Sequence, residues 1–145
     1  MAFYHISTIP KPLSIVWCKF PLEESPKKPG PKSRPALVRS IMTSKCKTKA
    51  AVEVTYGTSR IREAEFPYDL VIQNFASIEA CGLPRATRFQ LDKTILLPWN
   101  DTFFECRDGF KTPVIGQLDQ LAVMQLEAMK AKRAELQRAR SQMSV

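Results

Sequence analysis

Cationic side chains are the residues of this chain best placed to do chemistry, because other reactive types are sparse. Between Glu24 and Glu53 lie eight basic residues and no acidic one, and the formal net charge of the chain is +8. Such a block attracts polyanions and makes association with RNA or DNA faster and dependent on salt. It is equally typical of a solvated loop surface, so charge by itself leaves both interpretations open.

Metal and histidine chemistry have few residues to draw on. His5 is the single histidine, and the four cysteines are scattered singly, without a C-x-x-C pair: Cys18, Cys46, Cys81 and Cys106. Zinc sites need clustered cysteine and histidine ligands. We therefore expect no metal and no cofactor. We also expect free, mostly buried thiols, because a chain without a recognisable export signal belongs in a reducing compartment.

The elements that must position the cations are predicted to be short strands. Stretches rich in β-branched and aromatic residues occur at 15–20, 35–41, 51–56, 66–72 and 87–97. The third alternates apolar and polar residues as a half-buried antiparallel strand does. The lysine- and proline-rich segment 23–33 cannot sustain helix or ladder pairing, so we expect an exposed loop there. Many short strands joined by such loops predict a mainly β fold, a small antiparallel β-barrel.

A helix is predicted to follow the strands. Asp119 is a plausible N-cap, and apolar residues recur after it at roughly helical spacing. The apolar stripe fades after Met129 while basic residues accumulate, which predicts a basic helical tail at 131–145 that projects, frays or meets a partner. We divide the chain into an N-terminal extension at 1–12, a barrel domain with its helix at 13–130, and this tail.

Length and composition are those of one ordinary globular domain. The chain has 145 residues, of which 44% are hydrophobic and 25% charged. No apolar run approaches the roughly 20 residues that a membrane-spanning helix requires, and the start lacks the basic and apolar regions of a signal peptide. We expect a cytoplasmic protein that does not associate with a membrane.

Four segments, in order, resemble the PemK/MazF family of type II toxin–antitoxin toxins. The segment 14–21 (SIVWCKFP), a loop and then 34–38 (RPALV) are similar to the opening of these toxins. The other three are similar to the third strand of the family and its threonine-containing turn, to a later strand, and to the start of the C-terminal helix: 52–60 (VEVTYGTSR), 87–94 (TRFQLDKT) and 114–119 (VIGQLD). The chain departs from the pattern in having Leu13-Ser14 in place of Gly-Asp and a longer segment at 101–112.

The resemblance implies an SH3-like, PemK-type barrel and a metal-independent endoribonuclease that cuts single-stranded RNA. In such a reaction the 2′-hydroxyl attacks the adjacent phosphorus, and the protein stabilises the pentacoordinate dianion. With one histidine, a two-histidine mechanism is excluded. The resemblance makes Arg34 the catalytic arginine and Thr58 the catalytic threonine. A guanidinium has planar donors that match phosphate oxygens, so we expect Arg34 to do mainly electrostatic work.

RNA binding would fall to the loop and to the turn after the third strand. We expect Lys27, Lys28 and Lys32 to track the RNA backbone, and Arg60 to add a phosphate contact. An aromatic side chain would stack a base, and the nearest candidates in the strands are Trp17, Phe20 and Tyr56, each of which is also a natural core residue. Candidates for reading base edges are Asp69, Gln73 and Asn74.

The resemblance also implies partners and leaves alternatives. A homodimer would build a shared RNA groove, and the C-terminal peptide of a cognate antitoxin would occupy it. One alternative is a toxin of the same fold that poisons a protein target such as DNA gyrase and has no need of Arg34 or Thr58. The other is a catalytically inactive RNA-binding regulator.

Overall fold

The computed structural model describes residues 2–61 and 69–143 and shows a mainly β protein with a long C-terminal helix. The chain begins with a short 3-10 turn at Ile6–Thr8. Six strands and two helices follow: β1 (Ser14–Cys18), β2 (Arg34–Thr43), β3 (Ala50–Thr58), β4 (Leu70–Ile72), α1 (Phe75–Ala80), β5 (Thr87–Pro98), β6 (Val114–Gln117) and α2 (Gln120–Met143).

The six strands form one antiparallel sheet in the order β4-β5-β3-β2-β1-β6. The sheet curls into a half-barrel. Irregularities of register interrupt three of its pairings, at Ile15/Val16, at Val38/Ser40 and at Thr55/Gly57. Such bulges bend a strand and increase its twist, which is how a sheet of this size curls. A mainly β fold with a C-terminal helix was predicted from the sequence and is confirmed.

Both faces of the sheet contribute to a core, because neighbouring residues of β1 and of β2 enter different hydrophobic clusters. Ile15 and Leu37 belong to one core, which α2 closes with Ala122 and Leu126. Val16 and Val38 belong to the other core, which is closed by aromatic residues after β5: Trp99, Phe103 and Phe104. The residues discussed below lie at the ends of β2 and β3.

Four of the five predicted strands are confirmed to within a few residues of their ends. The fifth, at 66–72, falls partly outside the described residues, and its described part contains β4. The sequence reading did not predict α1, which Asn74 caps by accepting hydrogen bonds from Ala76 N and Ser77 N. It also missed β6, since residues 114–117, assigned by resemblance to the start of the helix, pair instead with β1.

The C-terminal helix begins where its N-cap was predicted. Asp119 Oδ1 accepts a hydrogen bond from Ala122 N at 2.8 Å, and Oδ2 accepts one from Ser77 Oγ at 2.8 Å. α2 continues through the basic tail to Met143. Its Arg133 forms an ion pair with Asp92 of β5. No helix among the described residues is long and apolar enough to cross a membrane.

Candidate functional site

Arg34 and Thr58 lie at the same end of the sheet on neighbouring strands. β2 begins at Arg34 and β3 ends at Thr58, and the two strands pair antiparallel with Ala36 opposite Tyr56. Continued by two residues, this register places Arg34 opposite Thr58. Residues directly opposite each other in an antiparallel pair share a face of the sheet. The two predicted catalytic residues are therefore brought into one neighbourhood by strand pairing alone.

A cavity of about 310 Å³ opens at this end of the sheet, and we call it the basic cleft. Its floor is a row of three strand residues, Trp17, Pro35 and Gly57, of which the first two are directly paired. Four cations line it, and the described lining residues include no carboxylate. The complete lining is Trp17, Lys32, Ser33, Arg34, Pro35, Gly57, Ser59, Pro84, Arg85, Thr87 and Arg107. This set of donors suits an anion rather than a metal ion.

Gly57 allows β2 and β3 to approach each other closely beneath the cleft. A Cβ atom at this position would lie 2.4 Å from the carbonyl oxygen of Pro35 and 2.9 Å from the ring of Phe89. Backbone and a buried ring cannot move aside cheaply, so a side chain here would push β3 away from β2. The glycine in the family-like segment 52–60 thus has a packing reason that is independent of any chemistry.

Thr58 itself does not line the cleft. It is 5% exposed, and its hydroxyl oxygen accepts a hydrogen bond from Arg60 N at 3.2 Å, which tightens the turn after β3. Three hydroxyl residues line the cleft. Ser33 donates to Glu105 and Thr87 donates to the carbonyl of Arg85, whereas Ser59, which follows Thr58, is exposed. Sequence reasoning missed Ser59, because one residue of turn geometry decides which hydroxyl reaches the cavity.

Arg60 lies just outside the cleft. Its side chain is exposed, and its backbone carbonyl accepts a hydrogen bond from Arg88 Nε at 3.1 Å. Arg88 is buried and bonded through Nη1 to Asp69 at 2.8 Å, so the turn is fastened to a buried ion pair. Asp69 is consequently engaged in structure, as is Asn74 at its helix cap. Gln73, the third proposed base-reading residue, is exposed and does not line the cleft.

Of the three loop lysines, Lys32 lines the basic cleft, whereas Lys27 and Lys28 are exposed and lie outside its lining. The loop is fastened at its far end by Gly30, whose N–H donates to the carbonyl of Lys19 at 3.0 Å. A Cβ atom on Gly30 would lie 2.1 Å from the carbonyl oxygen of Phe20. This contact fixes where the chain enters β2 and hence where Lys32 and Arg34 lie.

Two further cations complete the cleft and were not predicted. Arg85 precedes β5, and Arg107 lies in the long connection between β5 and β6. The guanidinium carbon of Arg107 is 5.5 Å from the centroid of the Trp17 ring, a cation–π contact. Glu105 anchors the same connection, with an ion pair to Lys19 at 3.6 Å and a hydrogen bond from Ser33. The sequence signalled this connection only by the extra length at 101–112, and length alone does not predict where the side chain of Arg107 lies.

The three candidate aromatic residues have different environments. Phe20 is buried and packs against Tyr56 with ring centroids 5.2 Å apart. Tyr56 is also covered by Lys93, whose Nζ lies 4.3 Å from the ring centroid. Trp17 is half-buried and is the aromatic residue of the cleft floor. Among the three, Trp17 is therefore the one positioned to meet a ligand.

None of the four cysteines lines the basic cleft. All four are free; Cys18 and Cys81 are buried, and Cys46 and Cys106 are exposed, so the expectation of mostly buried thiols holds for two. Burial raises the pKa of Cys18 and of Cys81. The described residues contain no cluster of histidine, cysteine and acidic side chains that would hold a metal ion. No protein-family model matches this chain, and comparison with curated proteins gives no match.

Proposed function

We propose that this protein is a metal-independent endoribonuclease that cuts single-stranded RNA in the basic cleft, as the toxin of a type II toxin–antitoxin system. The observation that carries the proposal is the convergence of Lys32, Arg34, Arg85 and Arg107 around the half-buried ring of Trp17. Cations follow an RNA backbone and an aromatic ring stacks a base, and single-stranded RNA needs both. The resemblance to the PemK/MazF family, and with it an SH3-like barrel, supports the same proposal.

In the proposed reaction the 2′-hydroxyl attacks the adjacent phosphorus and the 5′-oxygen leaves, giving a 2′,3′-cyclic phosphate and a 5′-hydroxyl end. Arg34 donates to the non-bridging oxygens, where negative charge grows in the transition state. A hydroxyl of the turn after β3 adds a hydrogen bond to the same phosphate. Resemblance assigns this role to Thr58, and exposure to the cleft favours Ser59 as a second donor.

Strand pairing supports the joint action of Arg34 and the turn. Both lie at the end of the β2–β3 pair, and both flank the floor formed by Pro35 and Gly57. A rigid strand end holds donors in place before the reaction, and such preorganisation is what makes electrostatic stabilisation effective. Removing one donor of this kind typically lowers kcat by about 10²- to 10³-fold.

The proposed setting is a cytoplasmic homodimer controlled by an antitoxin. A cleft lined by cations suits an acidic antitoxin peptide as well as RNA, so the antitoxin would block the cleft by occupying it. Lys27, Lys28 and Arg60 lie outside the lining and are exposed, and we assign them to backbone contacts beyond the scissile phosphate.

The deciding experiment is cleavage of a mixed single-stranded RNA by the pure protein in the presence of a chelator, with mapping of the new ends. We expect 5′-hydroxyl and cyclic phosphate ends from the wild type, and loss of cutting by at least about 10²-fold in Arg34→Ala. Arg138→Ala, which removes an exposed arginine of α2 outside the cleft, is the matched control and should cut normally.

Two results would favour the alternatives. Growth arrest that persists in cells producing Arg34→Ala, without RNA cutting, would favour a poison of a protein target. Binding of RNA without cutting by the wild type would favour an inactive regulator. Intact RNA and no binding at all would contradict the proposal outright.

A further inference from the structure

A second cavity adjoins the basic cleft. It has a volume of about 670 Å³ and is lined by Trp17, Glu105, Cys106, Arg107, Asp108 and Phe110. We call it the loop cavity, because every residue but Trp17 comes from the connection between β5 and β6. The two cavities share Trp17 and Arg107, so the stacked pair of guanidinium and indole forms their common wall.

The loop cavity presents an aromatic surface to solvent. Phe110 is 40% exposed, although its backbone is ordered by a turn in which its N–H donates to the carbonyl of Arg107 at 2.9 Å. Gly109, with a φ of +87°, allows this turn. An exposed aromatic ring on an ordered backbone turn is a surface on which single-stranded nucleic acid can stack its bases.

The loop cavity also presents one uncommitted carboxylate. Glu105 is occupied by Lys19 and Ser33. Asp108 is exposed, and no ion pair joins it to another described residue. A carboxylate only accepts hydrogen bonds, so it matches the exocyclic amino group of a base and disfavours a carbonyl oxygen at the same place.

We propose that the loop cavity is a nucleobase subsite that takes a base bearing an exocyclic amino group, with Phe110 as its stacking surface and Asp108 as its hydrogen-bond acceptor. The inference rests on the proposed function, since the base belongs to a nucleotide beside the phosphate in the basic cleft. A phosphate and the neighbouring base are joined by one sugar, so a subsite for each must lie side by side. The shared wall of Trp17 and Arg107 provides this adjacency.

The test uses the full chain and short single-stranded RNAs that are 2′-O-methylated and therefore cannot be cut, with either cytidine or uridine beside the central phosphate. These bases differ in carrying an amino group or a carbonyl at the same ring position. We expect the wild type to bind cytidine RNA about 10-fold more tightly. Asp108→Ala should abolish this preference, and Phe110→Ala should weaken binding of both RNAs about 10-fold.

Two variants serve as matched controls. Phe75→Ala removes another exposed ring, on α1, and Glu135→Ala removes another exposed carboxylate, on α2. Neither residue lines either cavity, so both variants should bind like the wild type. Both sites of substitution in the loop cavity are exposed, and unchanged thermal melting would confirm that the fold is intact.

The results separate the two proposals. RNA binding and cutting by a wild type that shows no base preference, with Asp108→Ala and Phe110→Ala unaltered, would overturn the subsite and leave the nuclease standing. A wild type that neither binds nor cuts any RNA would overturn the nuclease and the subsite with it.

Discussion

Arg88 donates through Nη1 to Asp69 Oδ2 at 2.8 Å, and the two side chains are 5% and 4% exposed. Arg88 also donates through Nε to the carbonyl of Arg60. The residue opposite it on β3 is Thr58, and the one opposite on β4 is Val71. The buried guanidinium of Arg88 therefore connects β5 to two neighbouring segments. It binds the turn after β3 through Arg60, and it binds the residue that precedes β4 through Asp69.

We predict that Arg88→Ala lowers the free energy of unfolding by about 3–5 kcal/mol, because it leaves the carboxylate of Asp69 buried without its partner. Urea denaturation measures this. The double variant Arg88→Met with Asp69→Leu removes both charges and should recover most of the loss. A loss below about 1 kcal/mol in the single variant would mean that the pair is not buried in solution.

The lowered pKa of Asp119 predicts how the stability of the fold depends on pH. Hydrogen bonds from Ala122 N and, more weakly, from Ser77 lower the pKa of this carboxyl in the folded protein. A lowered folded pKa stabilises the fold fully above the unfolded value of about 3.8, and the contribution is lost as pH falls through the folded pKa. Asp119→Ala should cost about 1 kcal/mol at neutral pH.

Asp119→Asn separates the charge from the cap, because asparagine caps a helix about as well as aspartate. In thermal unfolding, the melting temperature of the wild type should exceed that of Asp119→Asn at neutral pH. The difference between the two melting temperatures should disappear below about pH 4. A gap that does not depend on pH would assign the effect to packing and not to the carboxylate.

The hairpin between β2 and β3 carries a thiol that should react at neutral pH. The pKa of Cys46 is lowered to about 7 by hydrogen bonds from the hydroxyls of Ser44 and Thr48. Because the thiolate is the nucleophile, alkylation by iodoacetamide, followed on the Cys46 peptide by mass spectrometry, should be half-maximal near pH 7. Ser44→Ala with Thr48→Ala should raise this midpoint, and an unchanged midpoint would contradict the assignment.

The proposed RNA binding predicts a salt dependence that counts the cations in contact with phosphates. For single-stranded RNA the slope of log K against log salt concentration is about −0.7 for each phosphate neutralised, so the four cations of the basic cleft contribute about −2.8. The backbone contacts assigned to Lys27, Lys28 and Arg60 make the total slope steeper than this. Arg85→Ala should make the slope shallower by about 0.7, as measured by fluorescence anisotropy. Lys11→Ala, an exposed cation outside the cleft, should leave it unchanged.

Local sequence patterns predicted the strands well because alternation follows directly from burial on a pleated sheet. β3 illustrates this at Val52 and Val54, which are fully buried as its pattern indicated, whereas the alternation fails at Thr55, which is also fully buried where the register of β3 shifts. β6 was missed because it is four residues long and contains Gly116, a residue that weakens a strand prediction. A side chain at this position would collide with backbone, because a Cβ atom on Gly116 would lie 1.9 Å from the carbonyl oxygen of Cys81.

The cleft was only partly predictable for a different reason. Arg34 was predicted through the resemblance of its segment to a known motif, and Lys32 through the charge of the loop that leads into the same strand. Arg85 and Arg107 reach the same cavity from loops on either side of β5, and no periodicity connects them to Arg34. Their convergence depends on how the chain closes over long distances, which a single sequence does not reveal.

Gly30 contacts the backbone of Lys19 and Phe20, so the residues between them form a loop whose two ends are held together. Changes of length or composition between 22 and 29 are absorbed before the chain reaches β2, so this stretch can be exchanged without disturbing Arg34. It is therefore a natural place to graft new sequences, whereas a substitution at Gly30 would displace the start of β2 itself.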